Sequence, residues 1–108
     1  MSDATSYMLQ RISAMILAPL VLIHLGLILY AIEGGLTANE ILARTQSSIL
    51  WPLLYALFVI TVAIHAPLGL RNIIREFMGK SGRALNWSMA IFAGFLLIAG
   101  LRAVWAIA

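Results

Sequence analysis

His65 stands inside a long apolar run, with Gly69 four residues on and Arg71 six residues on, in the stretch H-A-P-L-G-L-R-N-I-I-R-E-F from His65 to Phe77. Hydrocarbon solvates ionisable groups poorly, so an imidazole in such a run is a functional signal by default. By helical rise it lies about 9 Å from the level of Arg71. Gly69, one turn away on the same face, leaves room beside the ring. A flat, bulky ligand taken through an axial imidazole suits that face, and haem is a ligand of that kind. The bland alternative is a histidine that hydrogen-bonds between helices, worth about 1 kcal/mol.

A second histidine, His24, occupies an earlier apolar run. It lies roughly 20 Å beyond Arg11, at about 1.5 Å per residue. If Arg11 and Arg71 share one interface, the two imidazoles differ in depth by about 10 Å. Two axial ligands of one iron sit only about 4 Å apart, twice a metal–imidazole bond. His24 and His65 therefore cannot clasp one iron, and each needs a second ligand from another polypeptide. Simple packing is an equal alternative for His24. Arg102 lies about 9 Å short of the chain end by helical rise, where it needs water, an acid or a propionate. Arg11 and Arg71 also suit plain topology anchors whose side chains snorkel to the interface.

The elements that carry these residues follow from composition. The 108 residues are 63% hydrophobic and 10% charged, the balance of an integral membrane protein. Apolar runs mark three spans, about 8–32, 49–74 and 85–108, each with the roughly 20 residues a membrane helix needs. Spanning segments must satisfy their own backbone groups, so the expected fold is an all-α membrane protein of three transmembrane helices in one unit, residues 1–108. Pro19 and Pro67 fall inside spans and each removes a backbone donor, so kinks are expected. The first span is too long for a secretory signal and has no clean cleavage pattern after it. The segment Asn39 to Arg44 reads as a short external helix.

Charge sets the orientation. The first connection carries Glu33, Glu40 and Arg44, and the second carries Arg71, Arg75, Lys80 and Arg83 against Glu76. The positive-inside rule puts the second connection and the N-terminus in the cytoplasm and the C-terminus on the outer face. The basic residues cluster at the ends of apolar runs without interleaved aromatics, so the net charge of +3 does not indicate nucleic acid. Cysteine is absent, which rules out disulfides, iron–sulfur ligation and thiolate chemistry by this chain.

The pattern of His65, Gly69, Arg71, Glu76 and Phe77 resembles the second helix of cytochrome b membrane-anchor subunits of succinate dehydrogenase and fumarate reductase, the succinate:quinone oxidoreductases of respiratory complex II. The opening Q-R-I-S-A of the first span is similar to the first helix of that family, and three spans of this length fit the whole chain. The resemblance implies that His65 is an axial ligand of haem b, with His24 its counterpart where two haems are present. It places Arg11 near haem propionates and the quinone pocket, and Arg71 near a propionate; Arg102, which by default snorkels outward, stands near a distal propionate where a second haem sits at the depth of His24. Quinone contacts would then come from Arg11, Ser13 and Tyr7. Family members often carry a histidine at the positions of Gln10 and Asn72 and a serine at that of Tyr7, so the propionate and quinone surroundings differ here.

The implied function is a haem b-binding anchor and electron-transfer subunit that passes electrons from an iron–sulfur subunit to quinone. The implied partners are a flavoprotein subunit that handles the dicarboxylate, the iron–sulfur subunit, and a second three-helix anchor chain, in the cell's inner membrane. Dicarboxylate chemistry is not in this chain. Two alternatives stand beside this reading: a haem-free quinone anchor in which His65 is structural, and a small membrane transporter. The transporter needs four spans and a glutamate within the first, and neither is present.

Overall fold

The computed structural model describes residues 2–108, and among them four helices: α1 Asp3–Gly34, α2 Ala38–Thr45, α3 Leu50–Met78 and α4 Arg83–Ile107. α1, α3 and α4 are long and apolar enough to cross a membrane. They form an elongated bundle of 47 × 22 × 22 Å, longer than the roughly 30 Å hydrocarbon core. α3 is the central helix. It packs along both α1 and α4, which scarcely touch each other.

The helices overrun the apolar runs at the basic end. α1 starts at Asp3, not near Met8, because Ser2 accepts a hydrogen bond from the Thr5 backbone N–H at 3.1 Å and Asp3 lies in the first turn, both favourable at a helix N-terminus. α3 continues past Ile74 to Met78 and stops where Gly79 takes the left-handed conformation, φ 65°, a conformation natural to glycine. Hydropathy marks the part of a helix that sits in lipid; caps mark where it ends. α1 and α3 run on through Pro19 and Pro67 without interruption.

The short helix expected after the first span is present and closes the far end. Thr37 caps α2 and its hydroxyl donates to Glu40 at 2.7 Å. Arg44 donates to the Gly35 carbonyl at 2.6 Å, and its guanidinium lies 5.9 Å from the Tyr30 ring centroid. Thr45 donates to the Ile107 carbonyl at 2.8 Å, so α2 ties the end of α1 to the end of α4.

Little of the chain is buried within itself. The buried apolar residues are Leu17, Leu20, Ala63 and Pro67, and the buried polar ones are Ser13, Thr45 and Thr61. Each buried hydroxyl donates to a backbone carbonyl, as a group removed from water must. No residue of α4 is buried. The outward faces are apolar, including Leu22, Ile91, Phe95, Ile98 and Trp105, which suits a surface solvated by lipid or another membrane chain.

Candidate functional site

The face of α1 that meets α3 is a stripe of Ser6, Gln10, Ser13, Leu17, Leu20, His24, Leu27 and Ala31, in which every member is buried or half-buried. Steps of three and four residues keep such a stripe on one side of a helix. Its antiparallel register with α3 sets Gln10 opposite Asn72, joined by a side-chain hydrogen bond, and His24 opposite Phe58. Arg11 and Arg71 therefore stand at one level, as the depth argument requires. Phe58 and His65 are seven residues apart, so the two histidines differ in depth by about 10 Å.

His65 lies in a polar cluster at the basic half of this interface. Its Nδ1 is 3.1 Å from the Ser13 hydroxyl and 3.3 Å from the Gln10 carbonyl oxygen. Ser13, only 4% exposed, also donates to that carbonyl at 2.9 Å. One assignment of protons satisfies all three contacts. The Ser13 hydrogen goes to the Gln10 carbonyl, and Nδ1 carries a hydrogen shared between the Ser13 oxygen and the same carbonyl. Nε2 then keeps its lone pair, and among the described residues it has no hydrogen-bond partner. Gln10 also accepts from Asn72 through its side chain. The two residues that stand where the resembled family often has histidine thus pair with each other.

The arrangement fits an axial ligand. An imidazole that binds metal through one nitrogen almost always donates from the other to a carbonyl or carboxylate, which sets the tautomer and the ring's orientation. Gly69, half-buried and one turn from His65, meets only the distant end of the Gln10 side chain at the place where a Cβ would stand. No group of three or more His, Asp or Glu side chains that could hold a bare ion exists among the described residues.

His24 is placed differently. Its ring stacks on Phe58, centroids 5.1 Å apart and 25° between planes, and no hydrogen bond holds either nitrogen among the described residues. It forms part of the wall of a separate cavity of about 500 Å³ under α2, with Tyr30, Arg44, Trp51 and Tyr55.

The remaining site residues divide by face. Arg11 is exposed and its guanidinium lies 5.7 Å from the Tyr7 ring centroid. Ser13 does not join them: two residues along a helix is a turn of about 200°, and its hydroxyl is committed to His65 and Gln10. Arg71 does not share the face of His65 either. Six residues place it about 120° round α3, where its Nε donates to Asn86 of α4 at 2.8 Å. Arg102 is exposed and two residues past Gly100, which packs on Val59 of α3. It therefore points away from α3 and from His24, although its level along the bundle is close to that of His24.

Gln10 as a backbone acceptor and Asn86 as the partner of Arg71 were not singled out from sequence. The spacing of Gln10, Ser13, Leu17 and Leu20 carried a signal for the first. Nothing in the sequence pairs Asn86 with Arg71.

Comparisons with curated proteins and with solved structures gave no match. A family profile does match: it covers residues 2–101 and describes the succinate dehydrogenase/fumarate reductase transmembrane subunit. With three apolar helices on an all-helical frame and an imidazole held at their interface, the chain belongs to the succinate dehydrogenase/fumarate reductase transmembrane subunit family.

Proposed function

We propose that this chain is the haem b-binding anchor and electron-transfer subunit of its complex, with His65 Nε2 as an axial ligand. The observation that carries this reading is the commitment of Nδ1 to Ser13 and Gln10 while Nε2 stands without a partner. Bound there, haem supplies a one-electron carrier between an iron–sulfur subunit and quinone. The chain's own part is to hold His65 in one tautomer and to keep the ring at a set depth. A second ligand for the haem would have to come from another membrane chain, since His24 lies about 10 Å away in depth. The basic end, carrying Arg75, Lys80 and Arg83, faces the cytoplasm and receives the peripheral subunits. On that end Arg11, with Tyr7 beside it, serves the quinone as a cationic hydrogen-bond donor, and Ser13 serves His65.

His65→Ala tests the reading. The variant complex is expected to lose haem or to show a five-coordinate spectrum, while succinate oxidation by a soluble dye persists. An unchanged reduced-minus-oxidised spectrum refutes the ligand assignment, and a wild-type complex without haem makes the chain a haem-free quinone anchor.

A second reading adds another haem at His24. The separate cavity with His24 in its wall, about 10 Å from the level of His65, favours it.

A further inference from the structure

Arg71 stands about 120° round α3 from His65, and the groove it borders is lined by both polar and apolar side chains. α1, α3 and α4 enclose a groove of about 420 Å³ on the side of α3 where Arg71 lies, with Ser6, Arg71 and Asn86 among its lining residues. These three polar groups stand at the basic end of their helices. Ile64 and Ala93, which also line the groove, lie seven residues deeper on α3 and α4, about 10 Å by helical rise. One end is thus polar and cationic, and the other is apolar.

The cation is held in place. Asn86 accepts from Arg71 Nε at 2.8 Å, which leaves both terminal nitrogens of the guanidinium without a partner among the described residues. Among the described residues the single ion pair joins Arg75 to Asp3, and no carboxylate pairs with Arg71. A planar guanidinium anchored at one edge presents a fork that matches two oxygens of a phosphate. Lys80 and Arg83 add positive field near this end, where anionic head groups gather.

We propose that this groove binds one anionic phospholipid, with its phosphodiester on Arg71 and the Ser6 hydroxyl and an acyl chain along Ile64, Leu68, Ala90 and Ala93. Charge complementarity selects this occupant over a neutral one. The site does not depend on the haem reading, since it lies about 120° round α3 from His65.

The test is to count lipid in the whole complex purified in mild detergent, by extraction and mass spectrometry relative to flavin. Arg71→Gln is expected to retain about tenfold less tightly bound anionic phospholipid, with neutral lipid unchanged. Ala93→Leu narrows the groove and leaves the cation alone, and is also expected to lower retention. It keeps the test open if Arg71→Gln assembles poorly. Anionic lipid retained equally by wild type and both variants overturns the proposal. So does loss of quinone in place of lipid, or loss of another subunit with lipid unchanged. In a second arm, delipidated complex is given phosphatidylglycerol vesicles, phosphatidylcholine vesicles or inorganic phosphate. A rise in thermal stability with phosphatidylglycerol alone supports the site. An equal rise with phosphatidylcholine overturns the anionic choice, and one with inorganic phosphate overturns the lipid.

Discussion

An imidazole has two ring nitrogens, and the hydrogen bond made by one decides what the other can offer. At His65 the Ser13 oxygen and the Gln10 carbonyl both face Nδ1, and with the proton assigned to Nδ1 this pair strengthens Nε2 as an electron donor. A stronger donor stabilises ferric over ferrous iron. Ser13→Ala removes one of the two acceptors, so the haem midpoint potential is expected to rise. A bond of roughly 1 kcal/mol corresponds to on the order of 40 mV for one electron. Redox titration of the complex checks this, with haem content unchanged and Ser13→Thr restoring the potential. An unmoved potential in Ser13→Ala removes Ser13 from the ligand's support. On the proposed reading Arg11 has a different task. It is exposed at the level of Arg71, where a cation can stabilise a developing negative charge on a quinone oxygen. Arg11→Ala is expected to lower quinone reductase activity roughly tenfold and leave dye-linked oxidation intact. Equal loss of both activities, or no loss, makes Arg11 a topology anchor.

Among the elements, the three spans, the short external helix and the depth difference between the histidines were legible in the sequence. Each rests on hydropathy or on rise per residue, which need no partner to be known. The ends of α1 and α3 were not, because Ser2 and Gly79 act through caps outside the apolar runs. The faces of Arg71 and Ser13 escaped for a related reason. A motif such as His, Gly, Arg states a spacing, but which residues share a side depends on where α1 and α4 pack round α3. Gly100 shows how tight one of those contacts is. A Cβ there would overlap the Val59 side chain of α3, so the small residue is required by close approach. Gly100→Val is expected to destabilise the α3–α4 pair by about 1–3 kcal/mol, the usual cost of overpacking. A lower melting temperature of the complex, with the haem spectrum of the surviving fraction unaltered, is the expected result. An unchanged melting temperature shows that α4 shifts freely on α3.

At the scale of the whole molecule, most of the surface is left for lipid or for another membrane chain. The helices bury only a few side chains between them and leave α4 without a buried residue. Each histidine offers at most one axial bond, and a six-coordinate haem iron needs two. A second membrane chain therefore completes any haem held here. The register of α1 on α3 sets the number of haems such a pair could hold. His24 and His65 differ in depth by about 10 Å, too far for one iron and sufficient for two haems stacked across the membrane. The two positions are not equally prepared. His65 has its Nδ1 bonded, whereas His24 stacks on Phe58 and edges a cavity with Trp51 and Tyr55, and Arg102 points away from it. A haem at His24 thus needs its orienting hydrogen bond from the second chain, while Arg44 in the same cavity wall is the cation at hand. The expected outcome is two haems per flavin in the assembled complex, with His24→Leu removing one spectral component and sparing that of His65. One haem per flavin, or a His24→Leu complex with an unaltered spectrum, leaves His24 as a packed residue and His65 as the sole ligand.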